Sequence, residues 1–151
     1  MRVHLYEGGL TPLVAHSGVG QAICHQRAML AEAGVELTDG WKGRADAVHI
    51  NTVLPDAPLA ALRARLRGET VVWYGHSTME DFRESFIGSN RLAPLFRRWL
   101  CVCYGLADVV VTPTPYSRRI LEGYGLKKPV YALSNGVDTE FFAPDPARGT
   151  A

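Results

Sequence analysis

Short apolar runs alternate with helix-period segments along the whole chain, and this alternation constrains the fold more than any other feature. Val3 to Tyr6 reads as a strand. Val19 to Ala33 reads as a helix, with Ile23, Met29 and Leu30 near helical spacing and Gly34 placed as a C-terminal cap. Val35 to Thr38 and Ala47 to Ile50 read as strands, then Pro58 to Leu66 as a helix and Thr70 to Tyr74 as a strand rich in β-branched and aromatic residues. Two helices are predicted next, over Met79 to Phe86 and Leu92 to Tyr104. Asp108 to Thr112 is a run of valines, the mark of a strand buried on both faces. Tyr116 to Tyr124 reads as a helix stopped by Gly125, and Val130 to Leu133 as the last strand. Strand following helix throughout implies right-handed crossovers. The expected fold class is therefore α/β: a Rossmann-like, mostly parallel sheet with helices on both faces.

Length and composition fit that reading. The 151 residues make one ordinary domain, and 47% hydrophobic with 21% charged residues lies in the globular range. A formal charge of +1 supplies no global field for nucleic acid, so no nucleic-acid partner is expected. No apolar run approaches the length of a membrane span. Cys24, Cys101 and Cys103 are an odd set without a secretory signal, which argues against a disulfide framework and for a cytoplasmic setting. Cys101 and Cys103 lack the second ligand pair of a zinc site and are expected to be packing residues, so no metal site is expected.

Ser17-Gly18-Val19-Gly20-Gln21 precedes the first long helix. Glycines there let a ligand approach the backbone, and the free N–H groups of a helix start favour phosphate. A dinucleotide fingerprint needs a third glycine where Ile23 stands, and the loop from Gly8 is long for that turn, although Asp39 sits where a ribose-binding acid would. A nicotinamide enzyme therefore stays open beside a plain glycine-capped turn.

His76 follows the fourth strand, at the carboxyl end where open α/β sheets bind ligands. It could donate to a sugar hydroxyl, or simply be satisfied by a nearby carbonyl. Gly75-His76-Ser77 also resembles the start of a nucleophile elbow, with Ser77 as the nucleophile of an α/β hydrolase. That motif wants glycine where Met79 stands, and Glu80-Asp81 adds negative charge where an oxyanion would form.

Arg91, Arg97 and Arg98 lie among Leu92, Leu95, Phe96 and Trp99, and Arg63, Arg65 and Arg67 form a second cluster. Arginine beside apolar and aromatic residues suits a membrane interface, with Arg91, Arg97, Arg98 and Trp99 as its candidates. The plain alternative is an amphipathic helix with a solvated basic edge.

Near the end, Val130-Tyr131-Ala132-Leu133-Ser134-Asn135-Gly136-Val137-Asp138-Thr139-Glu140-Phe141-Phe142 resembles the close of the amino-terminal domain in family 4 glycosyltransferases of the GT-B fold. The Gly18-Val19-Gly20 loop, His76, and Ala107 to Ser117 with its strand ending at a Thr before a helix fall in the same family's order. Gly75 to Phe82 and the basic aromatic helix look closest to members that glycosylate diacylglycerol lipids.

The resemblance implies one half of a GT-B fold: residues 1–143 an acceptor-side domain, 144–151 the start of a linker, and the donor domain absent, so that this chain alone is expected to be inactive. It implies retaining transfer from a nucleotide-sugar, a UDP- or GDP-sugar, without a required cofactor or metal. By the same resemblance the Gly18, Val19 and Gly20 backbone steadies the donor diphosphate and His76 is catalytic. Ser77, Thr114, Asn135, Gly136 and Val137 shape the cleft. The implied partners are a carboxy-terminal donor domain and a sugar acceptor, with a lipid and the inner membrane face as candidates. A non-catalytic membrane- or acceptor-binding module remains the other reading.

Overall fold

The structure is a computed structural model that describes residues 1–9, 18–38, 41, 43–83 and 85–136. Its strands are β1 (Arg2–Tyr6), β2 (Glu36–Thr38), β3 (Ala47–Ile50), β4 (Thr70–Tyr74), β5 (Val109–Thr112) and β6 (Val130–Ala132). Its helices are α1 (Gly18–Glu32), α2 (Ala57–Leu66), α3 (Met79–Phe82), α4 (Ser89–Gly105) and α5 (Pro115–Glu122). The six strands form one sheet in the order β2-β1-β3-β4-β5-β6. Every neighbouring pair is parallel, so the sheet is wholly rather than mostly parallel. The expected boundary at residue 143 lies outside the described residues.

Register decides which side chains share a face. His4 pairs with Val48 and Val48 with Val71; Ile50 pairs with Trp73 and Trp73 with Val110. Alternation along each strand then sends this set to one side and Val3, Leu5, His49 and Tyr74 to the other. On the first side, Ala57, Ala60, Ala61 and Ala64 form the buried stripe of α2. Their small side chains let that helix lie close to β3 and β4, in one core with Leu100, Cys103 and Tyr104 of α4 and Leu121 of α5. On the second side, α1 buries Ala22, Ile23 and Gln26. Helices therefore cover both faces.

Local chemistry explains the element ends. Gly34, at φ +70, lets Val35 donate back to the Leu30 carbonyl and close α1. Thr114 caps α5 by accepting from the Ser117 N–H. The predicted helix from Met79 to Phe86 is shorter: the chain turns extended at Arg83, with ψ 141, and α3 ends at Phe82. The predicted helix from Leu92 begins earlier, at Ser89, and continues through Pro94.

Much of the basic character is spent locally. Arg63 lies 4.7 Å from the centroid of the Trp41 ring, Arg65 pairs with Asp108 at 3.1 Å, and Arg67 pairs with Glu69 at 2.8 Å.

Candidate active site at the carboxyl edge of the sheet

The strand order reverses between β1 and β3, and ligands of open α/β sheets bind beyond the carboxyl ends at such a point. A cavity of about 170 Å³ opens there, lined by Glu7 after β1, by residues 51–54 after β3, and by Tyr74, His76 and Ser77 at the end of β4. Three strand ends thus supply its walls.

His76 reaches that cavity because the chain turns sharply after Tyr74. The Gly75 N–H donates to the Val111 carbonyl at 2.6 Å, and the Thr112 hydroxyl donates to the Gly75 carbonyl at 3.1 Å. A Cβ on Gly75 would lie 2.8 Å from Leu121 Cδ1 and 3.5 Å from the Val111 oxygen. Glycine alone fits so close an approach of backbone to core. The His76 ring then stacks on Tyr74, with centroids 5.8 Å apart and planes 24° apart. Its Nε2 stands 3.4 Å from Asn51 Oδ1. Burial pushes the imidazole below its usual histidine value, so it is neutral at pH 7.

A second cavity, about 210 Å³, lies on the α3 side and shares His76 and Ser77 with the first. Asp81, Ser85 and the stacked rings of Phe82 and Phe96, 4.3 Å apart, furnish its other walls. His76 therefore borders two spaces, one facing the switch point and one facing α3 and α4. That is an arrangement able to touch two reactants at once.

Asp56 anchors the described residues that follow β1. Its Oδ2 accepts from the Gly9 N–H at 2.6 Å and from the Tyr6 hydroxyl at 2.8 Å. Burial alone would raise the Asp56 carboxyl, but the Gly9 and Tyr6 bonds outweigh it and hold the group below the usual carboxylate range. Burial and the same carboxylate push the Tyr6 phenol up to about 12.

The other expected site residues are distributed as follows. Gly18 opens α1 and Gly20 is buried within its first turn. That turn carries no acidic side chain, which keeps the helix start favourable to an anion. Gly18 stands eight residues before Gln26, roughly 12 Å along the axis at the helical rise. Gln26 touches Asn51, so the glycine turn and His76 share an edge, but the glycines are not among the described residues lining the first cavity. Thr114 lies at the end of β5, exposed, as the cap of α5. Asn135 is half-buried after β6, and the Gly136 N–H donates to Ser134 Oγ at 3.2 Å. Val137 and Asp39 lie outside the described residues.

Ser77 is half-buried, and its carbonyl accepts from the Tyr104 hydroxyl at 2.7 Å. Thr78 caps the four-residue α3, whose first turn holds Glu80 and Asp81. Negative charge at that helix start opposes an oxyanion, so nothing here equips Ser77 as a nucleophile.

Two of the expected surface residues point elsewhere. Trp99 is half-buried and donates from Nε1 to the Val53 carbonyl at 2.6 Å, tying α4 to the cavity wall. Arg97 lies over the Tyr124 ring at 4.9 Å and donates to the Gly123 carbonyl. Arg97 and Trp99 thus make polar contacts with different neighbours, on two different sides of α4, and both stay half-buried. Arg91 and Arg98 remain exposed, beside exposed Leu92, Leu95 and Val102 on the same helix and Phe86 and Ile87 just before it. Among the described residues no helix is long and apolar enough to cross a membrane, and no cluster could hold a metal ion. Cys103 is wholly buried, and burial pushes its thiol up to about 12, as befits a packing residue.

Glu7, Gln26, Asn51 and Tyr74 join the site without belonging to any motif in the sequence. Asn51 had a signal, since it follows β3 as His76 follows β4. Gln26 had a fainter one, as a polar residue in the stripe of Ala22 and Ile23.

A parallel sheet with its cavity at the switch point is the frame of a Rossmann-like enzyme domain. Sequence comparison gives the class: the Glycosyltransferase Family 4 profile matches residues 12–141, and the chain belongs to that family. The fold agrees with one half of a GT-B enzyme. The chain is also 37% identical over 143 residues to the processive diacylglycerol alpha-glucosyltransferase of Acholeplasma laidlawii. The match covers 94% of this chain and 42% of that relative's length.

Proposed function

We propose that this chain is the acceptor-side half of a retaining glycosyltransferase that moves a sugar from a nucleotide-sugar to an acceptor, with a membrane lipid as the favoured acceptor class. The observation that carries the reading is His76: a neutral imidazole bordering two cavities at the carboxyl edge of the sheet, in a chain of this family.

The reaction breaks the bond between the sugar's anomeric carbon and the diphosphate and forms one to an acceptor hydroxyl, with the same anomeric configuration. Positive charge develops on the sugar ring, and a neutral imidazole fixed beside it stabilises that charge better than an imidazolium would. The start of α1, where Gly18, Val19 and Gly20 form the first turn, would steady the departing diphosphate through the helix dipole. Ser77, Thr114, Asn135 and Gly136 border the acceptor side, with Val137 following in sequence. A second domain holds most of the donor; the length of the relative beyond the matched part supports this. No metal is required in this scheme.

The lipid acceptor is supported by the relative's name and by the α4 surface. Arg91 and Arg98 beside Leu92 and Leu95 suit the anionic, half-apolar boundary of a membrane. The protein would work as a peripheral enzyme at the inner membrane face.

The test joins the chain to a family 4 donor half and measures sugar transfer to diacylglycerol in vesicles. Transfer should appear, and His76→Ala should lower it by about 100-fold or more. Undiminished transfer in that variant removes His76 from the reaction.

A further inference from the structure

Two side chains beyond His76 are buried, polar and joined to it. Gln26 on α1 is 3% exposed and Asn51 after β3 is 2% exposed. Such groups are costly to bury, and hydrogen bonds within the fold offset that cost. Asn51 Nδ2 donates to Gln26 Oε1 at 3.0 Å. That leaves Asn51 Oδ1, a pure acceptor, facing His76 Nε2 at 3.4 Å. Gln26 also bonds the Tyr74 phenol and pulls its pKa down against the larger effect of burial, which an amide N–H donating to the phenol oxygen does and an accepting carbonyl would not. Tyr74 in turn stacks on the His76 ring. The hydrogen bonds therefore link His76, Asn51, Gln26 and Tyr74 in sequence, and the Tyr74 ring stacks back on the imidazole.

We propose that Gln26 and Asn51 are positioning residues that fix the tautomer of His76. An acceptor facing Nε2 requires the proton on that nitrogen, so the neutral ring keeps Nδ1 as its lone-pair atom. His76 then accepts a hydrogen bond from a substrate hydroxyl through Nδ1, and the Tyr74 stack prevents the ring from turning to offer its N–H instead. The inference rests on the proposed contact between His76 and the reacting sugar, but it concerns the state of the ring before any substrate arrives.

The test is nitrogen NMR of the histidine-labelled chain above pH 7, without donor or acceptor. The wild type should show His76 protonated at Nε2 and bare at Nδ1. Gln26→Leu and Asn51→Leu should each give a mixture of the two tautomers. Gln26→Glu still accepts from Asn51 and should keep the wild-type pattern. Asn51→Asp should keep the Nε2 proton and raise the pH at which His76 takes up its second one. Backbone amide spectra confirm that each variant is folded, and the two conservative variants carry the test if a leucine variant is not. A proton on Nδ1 in the wild type overturns the proposal, because the amides would then run in the opposite direction. So does a single unchanged tautomer in a folded leucine variant, or an Asn51→Asp titration identical to wild type. None of these readings depends on sugar transfer. If transfer fails while the tautomer responds, the catalytic role is lost and the relay stands.

Discussion

The Tyr104 hydroxyl donates to the Ser77 carbonyl across 2.7 Å, tying the core of α4 to the loop that carries His76. Tyr104 is wholly buried, and its ring meets Trp73 edge-on at 6.1 Å. One side chain thus serves the core and the site together. Tyr104→Phe keeps the packing and leaves the Ser77 carbonyl short of a partner. It should destabilise the chain by about 1–2 kcal/mol in urea unfolding. Amide exchange should accelerate around residues 76–78 more than in β3. Uniform protection across both segments would show that the bond does not anchor the loop.

Gly75 is pressed between Leu121 and the Val111 carbonyl. Gly75→Ala should cost about 1–3 kcal/mol through overpacking. Adding Leu121→Ala removes the atom nearest the new methyl, so the double variant should be less destabilised than the sum of the two singles. Additive costs would place the strain elsewhere.

His49 sets an acid limit on stability. Its ring lies 5.7 Å from that of Tyr74, its Nδ1 is buried without a partner, and burial pushes it from 6.5 down to about 4. Between those values the unfolded chain binds a proton that the folded chain refuses. Stability from this group is whole above about pH 6.5 and declines as pH falls toward about 4, by about 3 kcal/mol in all. His76, also pushed down by burial, acts in the same direction. His49→Phe should flatten the acid limb of a stability profile. A limb as steep as wild type would assign the loss to other groups.

Transfer by the joined two-domain enzyme should need neutral His76. Because burial lowers its value, the acid fall-off in kcat should lie below the usual histidine value of 6.5. Asn51→Asp should move that fall-off to higher pH. A profile unchanged by Asn51→Asp would separate the fall-off from His76.

The exposed pair Arg91 and Arg98 should draw the chain to anionic vesicles. Reversing both to glutamate should abolish flotation with anionic lipid, at about 1 kcal/mol for each cation lost and more for reversal. Neutral vesicles should show little difference between the two proteins. Arg97→Glu should instead unfold the contact with Tyr124, detectable as a lower melting temperature. Flotation unaffected by the double reversal would remove this face from membrane binding.

The sequence by itself determined the class of fold and the order of its elements. The valine run of β5, the helical spacing in α1 and the cap at Gly34 act over a few residues, so neighbours in the chain suffice to read them. Position at a strand's carboxyl end was enough to mark His76. The tertiary structure alone decided what surrounds it. Gln26, Asn51 and Tyr74 come from three elements separated by at least 23 residues at each step and meet only because β3 lies beside β4 with α1 across them. The fold likewise sorts the residues of α4, giving Trp99 and Arg97 neighbours on other elements and leaving Arg91 and Arg98 in solvent. A helical pattern shows which residues share a face; only the neighbouring elements decide which face is covered.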